Sequence, residues 1–203
     1  MISKIKSNSV LKKIALWMLT PPNEHRPRLW TKIFLNPFMH KHGKGSIIRS
    51  RSKIDLFPFR DFSIGDYSII EDFSTINNGV GNLYIGDHSF IGAGNVIIGP
   101  VEIGNRVMTA QNVVISGMNH SYEDIDTPPT LQKVSTNPIK IHDNVWIGAN
   151  SVILPGITIG RHSVVGAGSV VTKSLPEYSV AVGNPAKVVK QYNPETGVWE
   201  KTL

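Results

Sequence analysis

Residues 141–175 read IHDNVWIGANSVILPGITIGRHSVVGAGSVVTKSL, and this stretch decides the fold. Every sixth position holds an aliphatic residue: Ile141, Ile147, Ile153, Ile159, Val165 and Val171. A helix repeats its apolar face about every 3.6 residues and a half-buried strand about every two, so neither explains a period of six. A short repeat with one inward aliphatic residue per unit is typical of a parallel β-solenoid.

The same period extends over most of the 203-residue chain. It begins weakly at Ile48, becomes clear at Ile64, is interrupted after Asn77 and then continues to Ile115. Three repeats make one coil, so residues 64–175 are expected to form about five coils once the loop described next is set aside. The predicted fold class is therefore all-β, a parallel β-helix with glycine and polar residues at tight corners.

One stretch, residues 116–138 (SGMNHSYEDIDTPPTLQKVSTNP), lacks the period. The repeats on both sides keep their rhythm, and loops inserted between regular repeats commonly carry function. His120 lies in this loop, next to several polar residues. A histidine can take a proton from a hydroxyl near neutral pH when another group fixes its tautomer. Taken alone, a loop histidine beside acids is more often a surface residue than a base.

The charge is divided unevenly along the chain. Residues 1–53 carry twelve Lys or Arg and a single acid, Glu24, whereas residues 54–203 carry a net charge of −5. Such a basic segment meets anionic membranes, nucleic acids or glycans. No recognised nucleic-acid module accompanies it, so we expect no nucleic-acid partner. The chain has no cysteine, which excludes disulfides, thiolate metal sites and a cysteine acyl-enzyme.

Residues 1–47 are predicted to form a basic, partly helical segment ahead of the coils. Residues 3–19 have apolar side chains at helical spacing, and a second apolar cluster follows at 29–39. These side chains either cover the open end of the first coil, which we favour, or rest on an anionic membrane. The apolar run at 11–19 is too short to span a bilayer, and no signal-peptide cleavage site follows it.

Four motifs occur in order in the second half of the chain. They are the loop with His120, DNVWIGANSVILPG at 143–156, VVGAGSVVTKSLP at 164–176 and VGNPAKVV at 182–189. With the sixfold period, these motifs make residues 60–192 resemble the hexapeptide-repeat acyltransferases. The nearest branch is that of the maltose, galactoside and polysaccharide O-acetyltransferases.

The resemblance implies a left-handed β-helix that assembles as a homotrimer, with each active site between two neighbouring subunits. It also implies acetyl-CoA as the acyl donor, no metal, and His120 as the general base for direct transfer to a hydroxyl. The implied contacts with the donor are made by Trp146, Ala149, Ala167, Thr172, Lys173, Lys187 and Lys190. The resulting organisation is a basic segment at 1–47, the β-helix domain at 48–186 with its loop at 116–138, and a C-terminal tail at 187–203.

The acceptor is less well defined than the donor. Sugar-acetylating relatives often have proline directly after the histidine, where this chain has Ser121. Asn119 and Tyr122 flank His120 and are candidate acceptor contacts, and Asn95 is a nearby candidate for an acceptor-site asparagine of the galactoside enzymes. The expected acceptor is a sugar hydroxyl of a surface polysaccharide or its precursor. The expected location is cytoplasmic or peripheral at the inner face of the membrane, which residues 1–53 would contact.

Other activities remain as alternatives. N-acetylation of an amino sugar would use the same donor rungs with a different acceptor pocket. A non-catalytic β-solenoid would have no reason to keep the loop and the later motifs together. A γ-type carbonic anhydrase needs three histidines, two of them close together on one coil, to bind zinc. The histidines of the rungs and loop are widely separated in sequence, which disfavours this last alternative.

Overall fold

The computed structural model describes residues 8–22, 24 and 26–202, which form a left-handed parallel β-helix with an N-terminal helical segment. The coil is triangular, and each face is a parallel sheet of short strands. Face 1 contains β1 (Lys41–His42), β4 (Phe62–Ile64), β7 (Leu83–Ile85), β10 (Val101–Ile103), β15 (Ile139–Ile141) and β18 (Thr158–Ile159). Face 3 contains β3 (Lys53–Asp55), β6 (Thr75–Asn77), β9 (Val96–Ile98), β12 (Val114–Ser116), β17 (Val152–Ile153) and β20 (Val170–Val171).

Face 2 is longer because the end of the chain adds to it. Its parallel strands are β2 (Ile47–Ile48), β5 (Ile69–Ile70), β8 (Phe90–Ile91), β11 (Met108–Thr109), β16 (Trp146–Ile147), β19 (Val164–Val165) and β21 (Ser179–Val182). Two antiparallel strands, β22 (Lys187–Asn193) and β23 (Val198–Lys201), complete the sheet. The predicted tail is thus a β-hairpin that extends face 2 over residues 187–201.

The prediction of about five coils is confirmed between β4 and β20. A sixth coil precedes them, since β1 pairs with β4 and β2 pairs with β5. The coils therefore begin at Lys41, seven residues before the boundary expected from the aliphatic period. The period is unclear there because Lys41 and His42 stand in the first strand, where sixfold spacing would call for an aliphatic residue.

The periodic aliphatic residues form columns inside the coil. On face 1, Ile64, Ile85, Ile103, Ile141 and Ile159 align through the strand register. Each is at most 2% exposed. Burial of an isoleucine side chain contributes about 1.5–3 kcal/mol, so the stacked columns supply the main stabilisation of the fold.

Carboxamide and carboxylate side chains hold the corner between faces 1 and 2 together. Each one accepts a hydrogen bond from a main-chain amide of the preceding coil, as from Asp66 N to Asp87 Oδ1 (2.8 Å). The next steps of this ladder are Asp87 N to Asn105 Oδ1 (2.8 Å) and Asn105 N to Asp143 Oδ1 (2.7 Å). Glycine precedes Asp66, Asp87 and Asn105 because a Cβ there would collide with the next coil.

The described N-terminal segment contains α1 (Ser9–Leu19), a π-helical turn (Thr31–Leu35) and the short helix α2 (Asn36–Met39). Within this later segment, contact with the coil is made mainly by polar groups. Lys32 Nζ pairs with Asp55 Oδ1 at 2.9 Å, and Asn36 Nδ2 donates to the Leu56 carbonyl at 2.8 Å.

The apolar residues of the N-terminal segment remain outside. No residue of α1 is buried, and Leu29, Phe34 and Phe38 are 72%, 65% and 87% exposed. The favoured expectation, that the large apolar residues cover the first coil, is therefore not what the structure shows. The part of the expectation that concerns residues 3–7 lies outside the described residues. Within the described residues, no helix has the length and apolar content needed to cross a bilayer.

Candidate active site

Residues 116–138 form an arm that leaves the coil at the corner between faces 3 and 1. Its base is a two-stranded antiparallel ribbon, β13 (Met118–His120) with β14 (Val134–Thr136). A short 3-10 helix, Pro129–Leu131, lies in the outer part. Gln132 closes the arm by donating from Nε2 to the carbonyls of Asp124 (2.7 Å) and Thr127 (2.6 Å).

His120 is exposed at the end of β13, where it pairs with Val134. Its main-chain amide donates to Asn119 Oδ1 at 3.1 Å. Within the described part of the chain, neither ring nitrogen of His120 has a hydrogen-bond partner. In this part of the chain, no hydrogen bond fixes the tautomer of the imidazole.

The three candidate acceptor residues lie in different surroundings. Asn119 and Tyr122 are exposed on the arm beside His120, and Tyr122 is 69% accessible. Asn95, by contrast, is fully buried inside the coil, where its Nδ2 donates to the Gly92 and Ala110 carbonyls. A side chain with no accessible surface does not contact a sugar, so the expectation for Asn95 is corrected and this residue is left out of the site.

Trp146, a predicted donor contact, lies in an outward column along face 2. The strand register aligns the members of this column in order: Ile47, Ile69, Phe90, Met108, Trp146, Val164, Val180, Lys190 and Lys201. Trp146 is 47% exposed. Strands are about 4.8 Å apart, so Lys190 is three strands or about 14 Å along the sheet from Trp146. An apolar track that ends in lysines suits an extended molecule with an apolar arm and terminal phosphates.

Ala149 and Ala167 occupy the same position on successive coils, at the corner between faces 2 and 3. The Gly168 amide donates to the Ala149 carbonyl at 2.8 Å, which holds the two turns together. Thr172 and Lys173 are exposed at the next corner, directly after β20. Lys187 lies in β22, paired with Val182.

One chain does not gather these residues into a single cleft. His120 stands on the arm at the corner between faces 3 and 1, whereas Trp146 is on face 2 and Ala149 is at the opposite corner. Thr172 and Lys173 share a corner with the arm, but two coils farther along. A site that uses all of them requires residues from two neighbouring chains.

A groove on face 1 was not predicted from the sequence. It has a volume of about 370 Å3 and lies at the base of the arm. Its polar lining is Arg60, Asn82, Tyr84, Glu102, Thr136 and Lys140. The sequence did indicate that three of these residues point outward. Tyr84, Glu102 and Lys140 each directly precede an inward isoleucine of the sixfold period.

Two side-chain hydrogen bonds hold Tyr84 in the groove. Its hydroxyl donates to Asp61 Oδ2 (3.1 Å) and accepts from Asn82 Nδ2 (3.0 Å). Burial first, and then the Asp61 carboxylate, raise the pKa of Tyr84, so the phenol stays protonated. These contacts hold the hydroxyl of Tyr84 in place on the outside of face 1.

Nowhere among residues 8–22, 24 and 26–202 do three His, Asp or Glu side chains converge as metal ligands would.

Comparison with known proteins identifies the family. The family model described as bacterial transferase hexapeptide (six repeats) matches residues 82–117 and 138–173, on either side of the arm. The galactoside O-acetyltransferase of Escherichia coli K12 is 33% identical over 174 residues, which cover 82% of this chain and 79% of that protein. The chain therefore belongs to the hexapeptide-repeat acyltransferases.

Two further proteins are informative. WbbJ of Escherichia coli K12, named as a putative lipopolysaccharide biosynthesis O-acetyl transferase, is 39% identical over 59% of this chain and 63% of its own length. A mutant of AntD, an N-acyltransferase from Bacillus cereus, in complex with dTDP-4-amino-4,6-dideoxyglucose and coenzyme A, superposes with a TM-score of 0.66. It is 25% identical, and the match covers 77% of this chain and 85% of AntD. Against three of the curated relatives, including WbbJ, the match spans 48%, 63% and 56% of their length.

Proposed function

We propose that this protein transfers an acetyl group from acetyl-CoA to a hydroxyl of a sugar in a surface polysaccharide or its precursor. The observation that carries the proposal is the exposed His120 on an arm that interrupts an otherwise regular β-helix. Membership of the family, with relatives named as sugar O-acetyltransferases, supports the reaction class. The match to WbbJ supports a polysaccharide acceptor.

In the proposed reaction, His120 accepts the proton of the acceptor hydroxyl as that oxygen attacks the thioester carbonyl of acetyl-CoA. A bond forms between the acceptor oxygen and the acyl carbon, and the bond between that carbon and sulfur breaks. The thiolate of coenzyme A then takes the proton back from the imidazolium. The exposure of His120 supports this role, because an acceptor hydroxyl can reach its ring.

The donor would lie along face 2. Trp146 and the apolar residues that follow it in the column would contact the pantetheine arm, and Lys190 would meet the phosphates. Ala149 and Ala167 present small side chains and main-chain amides at the adjoining corner. Lys187, in β22 of face 2, would lie near the phosphates. Thr172 and Lys173, at the corner between faces 3 and 1, would reach the donor from the neighbouring chain.

A homotrimer is part of the proposal because the site is incomplete in one chain. The arm exposes large apolar residues that a partner would cover: Ile125 is 94% exposed and Leu131 is 76% exposed. In the assembly, His120 of one copy would stand over the face 2 column of its neighbour.

Mixing two variants that are each impaired at an acetyl-CoA concentration below KM tests this arrangement directly. His120→Ala and Lys190→Ala would each be prepared alone, then combined under conditions that allow subunits to exchange. If the two residues act from different chains, the mixture regains acetyl transfer because some sites contain both native residues. Coenzyme A release is the readout, with each variant mixed with itself as the control. A mixture no more active than its components would contradict a shared site.

N-acetylation of an amino sugar is the second candidate. The fold similarity to AntD in complex with an amino sugar nucleotide favours it. The acceptor distinguishes O-acetylation from N-acetylation. The protein is assayed with a panel of sugars and the matching amino sugars, and each acetylated product is treated with mild base. Esters are cleaved and amides survive.

We also propose that α1 and the exposed apolar residues at 29–39 rest on an anionic membrane at its inner face. Lys12 and Lys13 lie in α1 among exposed apolar residues, and residues 1–53 are strongly basic. Apolar side chains and lysines on one short helix are the combination that binds anionic bilayers.

Flotation of the full chain with vesicles containing phosphatidylglycerol tests this proposal. Phe34→Ser should weaken binding, whereas Phe73→Ser should not, although both phenylalanines are 65% exposed. The comparison distinguishes binding by the N-terminal surface from nonspecific binding by any exposed phenylalanine. Equal binding of both variants and wild type would refute the membrane contact.

A further inference from the structure

The groove on face 1 lies next to the place where acetyl transfer is proposed. Thr136 lines the groove, and it pairs with Met118, two residues before His120 on the same strand. Residues in a strand are about 3.4 Å apart, so the histidine is about 7 Å farther out along the arm. A molecule in the groove would therefore adjoin the reacting centre without occupying it.

The groove is built from a polar row across three coils. Strand register places Tyr84 next to Glu102 and Glu102 next to Lys140 on the outside of face 1. Arg60 adds a second cation to the lining. Within the described residues, none of Arg60, Glu102 and Lys140 takes part in an ion pair. These charged groups are thus available to a ligand.

The mixture of groups indicates the chemistry of that ligand. Glu102 accepts hydrogen bonds, Arg60 and Lys140 donate them, and Tyr84 presents part of an aromatic ring held by Asp61. A sugar ring offers both hydroxyl donors and acceptors, and its C–H face packs on aromatic rings. A carboxylate or phosphate would meet two cations here but would also face Glu102. The volume of about 370 Å3 lies within the range of small-molecule sites.

We infer that the face 1 groove binds an uncharged glycosyl residue adjacent to the one that is acetylated, so that the preferred acceptor is an oligosaccharide or polysaccharide rather than a monosaccharide. This inference rests on the proposed sugar acetyl transfer and adds to it a binding subsite for a second sugar residue. Glu102 and Lys140 are assigned as specificity residues that hold the neighbouring sugar, and Tyr84 as the platform beneath it.

The test compares acceptors of different length on the full-length protein. Glucose, maltose and maltotriose form one series, and galactose and lactose form another. Binding is measured by saturation-transfer NMR with coenzyme A present, and transfer is measured by coenzyme A release. We expect the oligosaccharides of at least one series to bind more tightly than the monosaccharide by about ten- to a hundredfold, the effect of one or two hydrogen bonds to charged groups.

Variants of the groove then show whether it causes the tighter binding of oligosaccharides. Glu102→Gln and Lys140→Met should each remove most of the preference for oligosaccharides by raising KM for them, while leaving the monosaccharide unchanged. Arg106→Gln serves as a control, because Arg106 is an exposed cation at the corner between faces 1 and 2, outside the groove lining. Far-UV circular dichroism and the KM for acetyl-CoA show whether a variant has kept its fold and donor site.

The outcomes separate this inference from the function on which it rests. If transfer depends on His120 but the groove variants keep the wild-type preference, or if no oligosaccharide is preferred, the groove inference is wrong and the proposed function stands. If no transfer occurs to any acceptor, the proposed function fails. In that case the binding measurement still tests the groove inference. The inference is wrong if no oligosaccharide binds, or if the groove variants do not alter the binding.

Discussion

Replacement of Gly148 by alanine should loosen the β-helix at the proposed donor track. A Cβ built on Gly148 would lie 2.5 Å from the Ala167 nitrogen, 2.9 Å from its Cα and 3.0 Å from the Gly166 carbonyl carbon. All three are main-chain atoms of the next coil, so no side chain can rotate away. Ordinary contact begins at 3.4 Å, and the coils must therefore separate locally by about 0.9 Å.

Overpacking of this kind costs about 1–3 kcal/mol. For a chain of this size each kcal/mol lowers Tm by about 2–4 °C, so the expected fall for Gly148→Ala is about 2–12 °C. Because Ala149 and Ala167 lie on both sides of the displaced contact, KM for acetyl-CoA should rise as well. Alanine is compatible with this corner position in itself, since Ala110 occupies it one coil earlier. At position 148, by contrast, an alanine Cβ would collide with the following backbone.

Gly166→Ala is the matched control, one coil farther along the same corner. Its Cβ would meet Val182 Cγ1 at 2.7 Å, with the next atom at 3.5 Å. The valine is 40% exposed and can change rotamer. The loss of glycine freedom in the unfolded chain is the same in both variants and cancels in the comparison. Thermal unfolding followed by circular dichroism at one protein concentration is the assay. A fall in Tm for Gly148→Ala no larger than that for Gly166→Ala would refute the reasoning.

His120→Ala should lower acetyl transfer by about 10²- to 10⁴-fold with little change in coenzyme A binding, and near-wild-type turnover would remove the residue from the mechanism. Lys190→Ala should raise KM for acetyl-CoA more than Lys201→Ala does, because Lys190 is one strand nearer to Trp146; the reverse order would show that the donor is not aligned with the column. Burial, followed by the nearby His42, lowers the pKa of His40, so the unfolded chain binds a proton more readily than the folded one. Stability should therefore fall as pH drops below about 6.5, and His40→Leu should flatten that fall in urea unfolding; an unchanged pH dependence would contradict the assignment.

The period of six was enough to predict the architecture from the sequence. An inward aliphatic residue at each sixth position specifies a stacked coil because all other regular structures would bury polar residues. The same period located the arm by its absence, and the motifs in order identified the family. The first coil was missed because Lys41 and His42 do not follow the aliphatic pattern, although they pair normally with β4.

Contacts between coils could not be predicted in the same way. Glu102 and Lys140 are neighbours across one strand spacing, yet 38 positions separate them because the arm intervenes. The strand register shows that Glu102 and Lys140 share a groove. The same register places Tyr84 beside them, on the outside of the preceding coil. Asn95 illustrates the opposite error, since it was a candidate contact for the acceptor and instead turns inward to bond two carbonyls.

The sequence of residues 141–175 thus determined the coil and its inward faces, because a strict repeat dictates local geometry wherever it occurs. The tertiary structure alone decided that the groove lies beside the arm, that the N-terminal apolar residues face outward, and that His120 and Trp146 stand on different sides of one chain. These features depend on which coils become neighbours and on where an irregular segment leaves the coil, and a local period carries no information about either.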